Sequence, residues 1–320
     1  MSIVCTGSIA YDYLMSFPGY FRDHIMPEKL DSISLSFLVD SMVRYRGGTA
    51  ANIAYNLALL GERPKVMATA GVDFMEYRSW LESKNIDTSL VKIIPEVYTA
   101  SFFVNTDLSN AQIATFYAGA MAYAGELSLH SLEAEMPELV VISANDPGAM
   151  KRMVLECAEL NIPYLYDPSQ QIVRMDPMDL RSGVENAQSL FLNDYEFGLL
   201  QKHTGMTVNQ ILGHLEYMVI TLGEDGAVVY ADGAEYRIPV AKTDHVVEPT
   251  GVGDAFRGGF LRGRKLGLDW QTCGQMGSLS ATYCLEQRGT QNHTYTIKEY
   301  VQRYREVFND EHGLQSLLRN

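Results

Sequence analysis

The chain has 320 residues, 47% of them hydrophobic and 20% charged, and its 25 basic and 39 acidic side chains leave a formal charge of −14. A chain of this length can bury roughly 75% of its unfolded surface, and the composition excludes disorder, collagen and low-complexity sequence. The acidic balance excludes a sequence-independent grip on DNA or RNA, which needs Lys and Arg to displace phosphate counterions; it does not exclude a small phosphorylated ligand held at one local positive site.

From the N-terminus, short apolar strands are predicted over residues 3–6, 65–70, 139–143, 163–166, 189–192 and 218–222. Several are almost wholly apolar, as strands buried on both faces of a parallel sheet are. Helices are predicted over 49–60 (stopping at Gly61), 147–160, 194–203, 254–266, 270–287 and 296–308. This alternation implies βαβ units and an open sheet with helices on both faces. Two regions break the rhythm, about 15–46 and about 96–118. Their alternating stretches 33–39, 100–105 and 112–117 are predicted as antiparallel strands of a small second sheet, a lid or dimer surface on one domain spanning 1–320. Glu224-Asp225-Gly226 and Asp232-Gly233 are predicted hairpin turns.

Cys5, Cys157, Cys273 and Cys284 form no CxxC pair, and three lie in apolar runs, so free thiols in a reducing compartment are expected, without disulfides or a zinc cluster. The first 14 residues show no basic stretch ahead of an apolar run, and no apolar run approaches ~18 residues. The expectation is a soluble cytoplasmic protein with no membrane or nucleic-acid partner.

The strongest chemical signal is EPTGVGDAFRGGF, residues 248–260. Gly251 and Gly253 let successive amides point one way, and a helix beginning near Asp254 adds its positive end, which together suit an anion. An acidic residue in a phosphate site makes sense if Asp254 takes a proton from a hydroxyl attacking phosphorus; a Gly-rich turn with Asp as helix cap is the alternative. The pair Gly258-Gly259 is expected to let this helix approach the sheet closely. No Gly-Lys pair exists for a Walker A loop, and Phe256 replaces the third glycine of a dinucleotide fingerprint. In RGGTAAN, residues 46–52, Gly47 and Gly48 permit close approach by a ligand, and Asn52 offers a donor and an acceptor to a vicinal diol; a turn before an Ala-rich core helix is the alternative. The seven histidines show no HxH or HExxH spacing, no GxSxG elbow occurs, and no basic stripe interleaves with the 19 tyrosines. Asn292-His293 could line a nucleotide pocket or form a loop without ligand contact.

GSIAYD, RYRGGTAANIAYNLALLG, LNDYE, TLGEDG and EPTGVGDAFRGGF stand in the order found in the ribokinase-like, or PfkB, sugar and nucleoside kinases, which the chain resembles over essentially its whole length. The resemblance implies a three-layer α/β/α sandwich with a mostly parallel central sheet and a β-sheet lid, which often forms a homodimer contact. It implies Asp254 as general base and the amides of Gly251, Val252 and Gly253 as anion hole. It also implies Asp12, Gly47, Gly48 and Asn52 as contacts to the acceptor's sugar hydroxyls. Asn193 and Glu196 resemble the family's NxxE element, which organises Mg²⁺ and phosphates through water; Mg²⁺ needs only one or two carboxylates. Thr221, Gly223 and Gly226 resemble its TxGxxG nucleotide loop.

Two departures narrow the reading. Glu248 replaces the more usual Asp at a position linked to a monovalent cation, which leaves that cation open. Thr49 and Ala50 replace the Lys-Gly of typical ribokinases, which counts against ribose. Stretches 107–121, 167–171 and 289–295 resemble an adenosine-kinase-like or general nucleoside and sugar kinase subgroup; no catalytic role follows from them. The expected activity is ATP-dependent phosphorylation of a primary hydroxyl on a nucleoside, adenosine first. The alternatives are a kinase for a fructose- or ketodeoxy-acid-type sugar, a catalytically silent nucleotide- or sugar-binding protein and, more distantly, a phosphosugar oxidoreductase.

Overall fold

The structure is a computed structural model that describes residues 2–26, 31–32, 34–132, 136–310 and 312–319. Eight strands form the central sheet in the spatial order Ala234–Ile238, Ala227–Ala231, Tyr217–Thr221, Ser189–Asn193, Tyr164–Tyr166, Leu139–Ile142, Ile3–Thr6 and Lys65–Met67. The last six are parallel; the first two close an antiparallel edge.

Period-two alternation divides the core. Ile3, Cys5, Val141, Leu165, Phe191 and Val219 pack against the helices Thr49–Leu59, Val252–Lys265 and Trp270–Leu285. Val4, Val140, Ile142, Tyr164, Leu190 and Met218 pack on the other face against Pro147–Leu160, Pro177–Glu185 and Asp194–Thr204. Neighbouring residues of one strand thus serve opposite layers, which is why the strands read as unbroken apolar runs. All four cysteines are buried and free, and no described helix is long and apolar enough to cross a membrane.

The second sheet has the order Ser41–Gly47, Ala10–Ser16, Ala100–Thr106, Gln112–Tyr117. Two differences from the sequence reading stand out here. Residues 34–39 form no ladder (Ile33 lies outside the described residues), and the lid strand is Ser41–Gly47 instead. Its outward positions are exposed, so polar and apolar side chains mix and the period-two signal fades. In addition, Ala10–Ser16 pairs parallel to Ala100–Thr106, not antiparallel. The predicted strand 65–70 breaks at Ala68, and Thr69–Ala70 turns to pair with Lys92–Ile93. The helix Met75–Ser83, absent from the sequence reading, buries only Tyr77 and Leu81, too few positions to show a period. Asp232 and Gly233 both have positive φ, 53° and 72°, as a tight hairpin turn requires.

The Gly258-Gly259 pair works differently from the sequence expectation. A Cβ on Gly258 would lie 2.5 Å from Asn56 Cβ, and one on Gly259 2.5 Å from Met276 O. The close approach is to the flanking helices, not to the sheet. Gly259→Ala is therefore expected to destabilise the fold by about 1–3 kcal/mol through overpacking, measurable as a lower urea midpoint at unchanged slope.

Candidate active site

The sheet changes winding direction at Ile3–Thr6, whose neighbours are Lys65–Met67 on one side and Leu139–Ile142 on the other. Ligands of open α/β sheets collect beyond the strand C-termini at such a point. Asp12 follows this strand, and the loop 248–251 and the helix Val252–Lys265 reach the same end.

Two cavities meet there. One, about 510 Å³, is lined by Thr49, Asn193, Glu196, Thr221, Gly223, Gly251, Gly253, Asp254 and Arg257 among others. The other, about 690 Å³, lies under the lid, with Leu14, Val43, Tyr45, Phe102, Val104, Glu248, Thr250 and Arg288 in its wall. Gly251 lines the first and Thr250, its neighbour in the chain, lines the second.

Gly251 caps the helix at φ 79°, a left-handed geometry that a side chain would strain, and its Cβ would fall 2.6 Å from Thr290 Cγ2. The helix starts at Val252, two residues before the sequence expectation. Val252 N–H bonds Pro249 O at 3.4 Å, while the amides of Gly251, Gly253 and Asp254 have no acceptor among the described residues. The amides left free here are thus those of 251, 253 and 254, while that of 252 is engaged.

Asp254 Oδ2 accepts from Asn52 Nδ2 at 2.8 Å. Burial pushes its carboxyl up to about 7; Arg257 and the Asn52 hydrogen bond pull it down, and Asp167 and Glu196 push it further up. A carboxylate poised near neutrality suits a general base.

Asn52 is 4% exposed. Its Oδ1 receives Thr290 Oγ1 at 2.8 Å and Gln291 Nε2 at 2.9 Å, so its amide nitrogen must face Asp254. The side chain expected at the sugar hydroxyls stands against the Asp254 carboxylate and donates to it. Gln291 also donates to the Tyr77 hydroxyl, which donates to Gly47 O at 2.9 Å.

Asp12 pairs with Tyr45 across the lid ladder and reaches diagonally over Gly47, where a Cβ would lie 2.6 Å from Asp12 Oδ2. Burial, then Glu248, raise its carboxyl to about 6. Gly48, at φ 96°, leaves no room for a Cβ against Ser8 O and Ala10 N; it admits the protein's own backbone. Glu248 Oε2 accepts the Gly289 amide at 3.0 Å.

Asn193 and Glu196 form a capping box: Asn193 Oδ1 accepts from Glu196 N at 2.8 Å, and Glu196 Oε2 from Asn193 N at 2.9 Å. Burial raises the Glu196 carboxyl, with Asp167 adding to it. Thr221 and Gly223 reach the cleft, but Gly226 is a turn glycine packed under Ile238 O and lines neither cavity. His293 is buried, with Nε2 2.9 Å from Asn56 Oδ1, and burial lowers it to about 4, so it is a neutral core residue and no nucleotide contact.

The sequence reading missed Thr290, Gln291, Asp167 and Arg257. Thr290 and Gln291 carry no local signal and act through contacts 214 to 244 residues distant. Arg257 did carry one, at i+3 from Asp254 on the same helix face.

The family model for the pfkB family of carbohydrate kinases matches residues 11–297. A nucleoside kinase of Methanocaldococcus jannaschii is 29% identical over 306 residues, 94% of this chain and 96% of the relative. A Burkholderia thailandensis nucleoside kinase solved with inosine is 36% identical, with a TM-score of 0.84 over 97% of this chain and 98% of that one; the same enzyme solved with ADP and inosine gives 0.83 over 97% and 96%.

Proposed function

The chain belongs to the pfkB family of carbohydrate kinases and is a phosphotransferase with an alcohol group as acceptor, and we propose that it transfers the γ-phosphoryl group of ATP to the primary hydroxyl of a nucleoside. The observation that carries the acceptor is the inner face of the lid. The register aligns Tyr45, Asp12, Phe102 and Phe116 in one row across four strands, with Val43, Leu14, Val104 and Ala114 in the next. One polar corner, Glu248 and Arg288 with the Asp12 charge close to Glu248, adjoins an aromatic and aliphatic wall. A ribose hydroxyl pair suits the corner and a flat base suits the wall; a free sugar has no face for the latter. The nucleoside kinases of similar sequence support the same acceptor.

The chemistry follows from the chain's own groups. Asp254, the Asn52 amide at its back, takes the proton of the attacking hydroxyl. The unpaired amides of Gly251 and Gly253 and the helix end stabilise charge on the moving phosphoryl group. Thr221 and Gly223 face the nucleotide. Glu196 keeps one carboxylate oxygen outside the capping box, and no set of three metal-ligating side chains exists among the described residues. That donor set fits Mg²⁺ held mostly by phosphate and water. When bound, Mg²⁺ would neutralise phosphate charge beside Glu196. The lid's outer face, with Tyr13 stacked on Phe103 at 4.7 Å and Met42 and Ile113 exposed, supports a contact between two copies.

ADP release measured across nucleosides, pentoses, hexoses and keto-acid sugars tests the acceptor. Nucleosides are expected to win; a preference for fructose or a ketodeoxy acid would overturn the reading. Phe102→Ala is expected to raise KM for nucleosides by about tenfold or more, since stacking contributes roughly 1–3 kcal/mol per base, with little effect on any residual activity toward free ribose.

A further inference from the structure

One buried charge facing the phosphate cleft has no assigned role. Arg257 follows Asp254 by one turn of the helix Val252–Lys265 and is 7% exposed. Its Nη2 donates to Asp167 Oδ1 at 2.6 Å, and Asp167, just past the strand Tyr164–Tyr166, is fully buried. Ser169 Oγ donates to the same oxygen at 2.6 Å. The other Asp167 oxygen and Arg257 Nε have no hydrogen-bond partner among the described residues. Nη1 lies against Gly253, where a Cβ would fall 2.7 Å from it, and the residue lines the cleft beside Asp254 and Glu196.

A guanidinium has five N–H donors, and the protein uses few of them here. A buried ion pair stabilises a fold only when its remaining donors are satisfied, so this arrangement is a poor structural device. It is a good receptor for a group rich in acceptor oxygens. Asp254 and Glu196 line the cleft, Asp167 lies buried behind it, and Arg257 is a cation set among the three. Gly253, whose amide is unpaired, and Arg257 line the same cleft.

We propose that Arg257 is a catalytic residue of the phosphoryl transfer: its guanidinium, fixed by Asp167, donates to non-bridging oxygens of the phosphoryl group in flight. This rests on the kinase reading above. The acceptor oxygen bonds to phosphorus and gives its proton to Asp254. The bond from phosphorus to the bridging oxygen breaks, and the electron pair leaves with ADP. Arg257 keeps its proton throughout and supplies charge and planar geometry, which a lysine point charge would not reproduce.

The test compares wild type with R257Q, R257K and the double variant R257Q/D167N, which leaves no unpaired buried carboxylate. The readouts, in magnesium buffer, are kcat and KM with ATP and the best acceptor, slow ATP hydrolysis without acceptor, and binding of ADP with and without tetrafluoroaluminate, a mimic of the phosphoryl group in flight. In R257Q and the double variant kcat is expected to fall about 10²–10³-fold, and R257K to recover less than about a tenth of it. ADP affinity is expected to hold within about threefold, while the gain from tetrafluoroaluminate disappears. A folded double variant with kcat within about threefold of wild type, or with the tetrafluoroaluminate gain intact, overturns the proposal. If R257Q fails to fold, the double variant decides. A wild type that hydrolyses ATP but phosphorylates no nucleoside overturns the acceptor reading alone, and the hydrolysis and tetrafluoroaluminate readouts still decide the arginine.

Discussion

Asp254→Asn is expected to lose about 10²–10⁴ of turnover and yet to unfold at a higher temperature than wild type at pH 8. Both effects have one cause. Burial lifts this carboxyl from 3.8 to about 7. Its folded pKa is raised, so the stability tied to its protonated form is fully present below about pH 4 and is lost as pH climbs through about 7. At pH 8 the wild type carries the ionised group against an environment that disfavours it, and each tenfold rise in the carboxylate's proton affinity corresponds to on the order of 1.4 kcal/mol. Asparagine removes that burden and still accepts from Asn52. Thermal unfolding at pH 8 and pH 5 checks the sign: the gap in melting temperature narrows at the lower pH. In wild type, kcat/KM is expected to rise through an acid limb near pH 7. A variant that keeps near-normal turnover would remove Asp254 from its role as base.

Asn52→Ala carries the second large effect, and it separates two roles for one residue. A sugar contact would raise KM for the acceptor and leave the acid limb in place. The observed bonding argues for a support behind the base. Loss of the amide leaves Asp254 free to swing, and a misplacement of about 1 Å costs around 10²-fold in rate, so kcat falls while KM moves little. The groups facing Asp254 are Asn52, Arg257, Asp167, Glu196 and the Cys284 thiol. Of these, Arg257 and Asn52 hold its pKa down, so removing Asn52 shifts the acid limb upward. The pH profile of kcat/KM beside that of wild type is the measurement; an unmoved limb with a raised acceptor KM returns Asn52 to the sugar.

The central sheet was readable because its strands are buried on both sides. Runs such as those at 139–142 and 189–192 show no polar face and are bounded by helices, so type and order follow from hydrophobic pattern. The lid was harder. Ser41–Gly47 exposes four of its seven residues, and a strand that packs on one side with long polar chains on the other loses its alternation. Residues 34–39 alternate well and pair with nothing, because a ladder needs a neighbouring strand as well as a pattern.

Much of the site was also written locally. The bend at Gly251, the carboxylate three residues on and the capping box of Asn193 and Glu196 all lie within short segments, where backbone geometry is set by near neighbours. Chain order alone could therefore place a family and single out a candidate base and anion-binding turn. What the amide of Asn52 touches, which amides at 251–254 stay unpaired, and why Arg257 and Asp167 meet are questions of distance between residues 90 to 239 positions apart. Such contacts arise when two helices and two loops dock on one sheet edge, and their hydrogen-bond partners and desolvation belong to that docking and to no single segment.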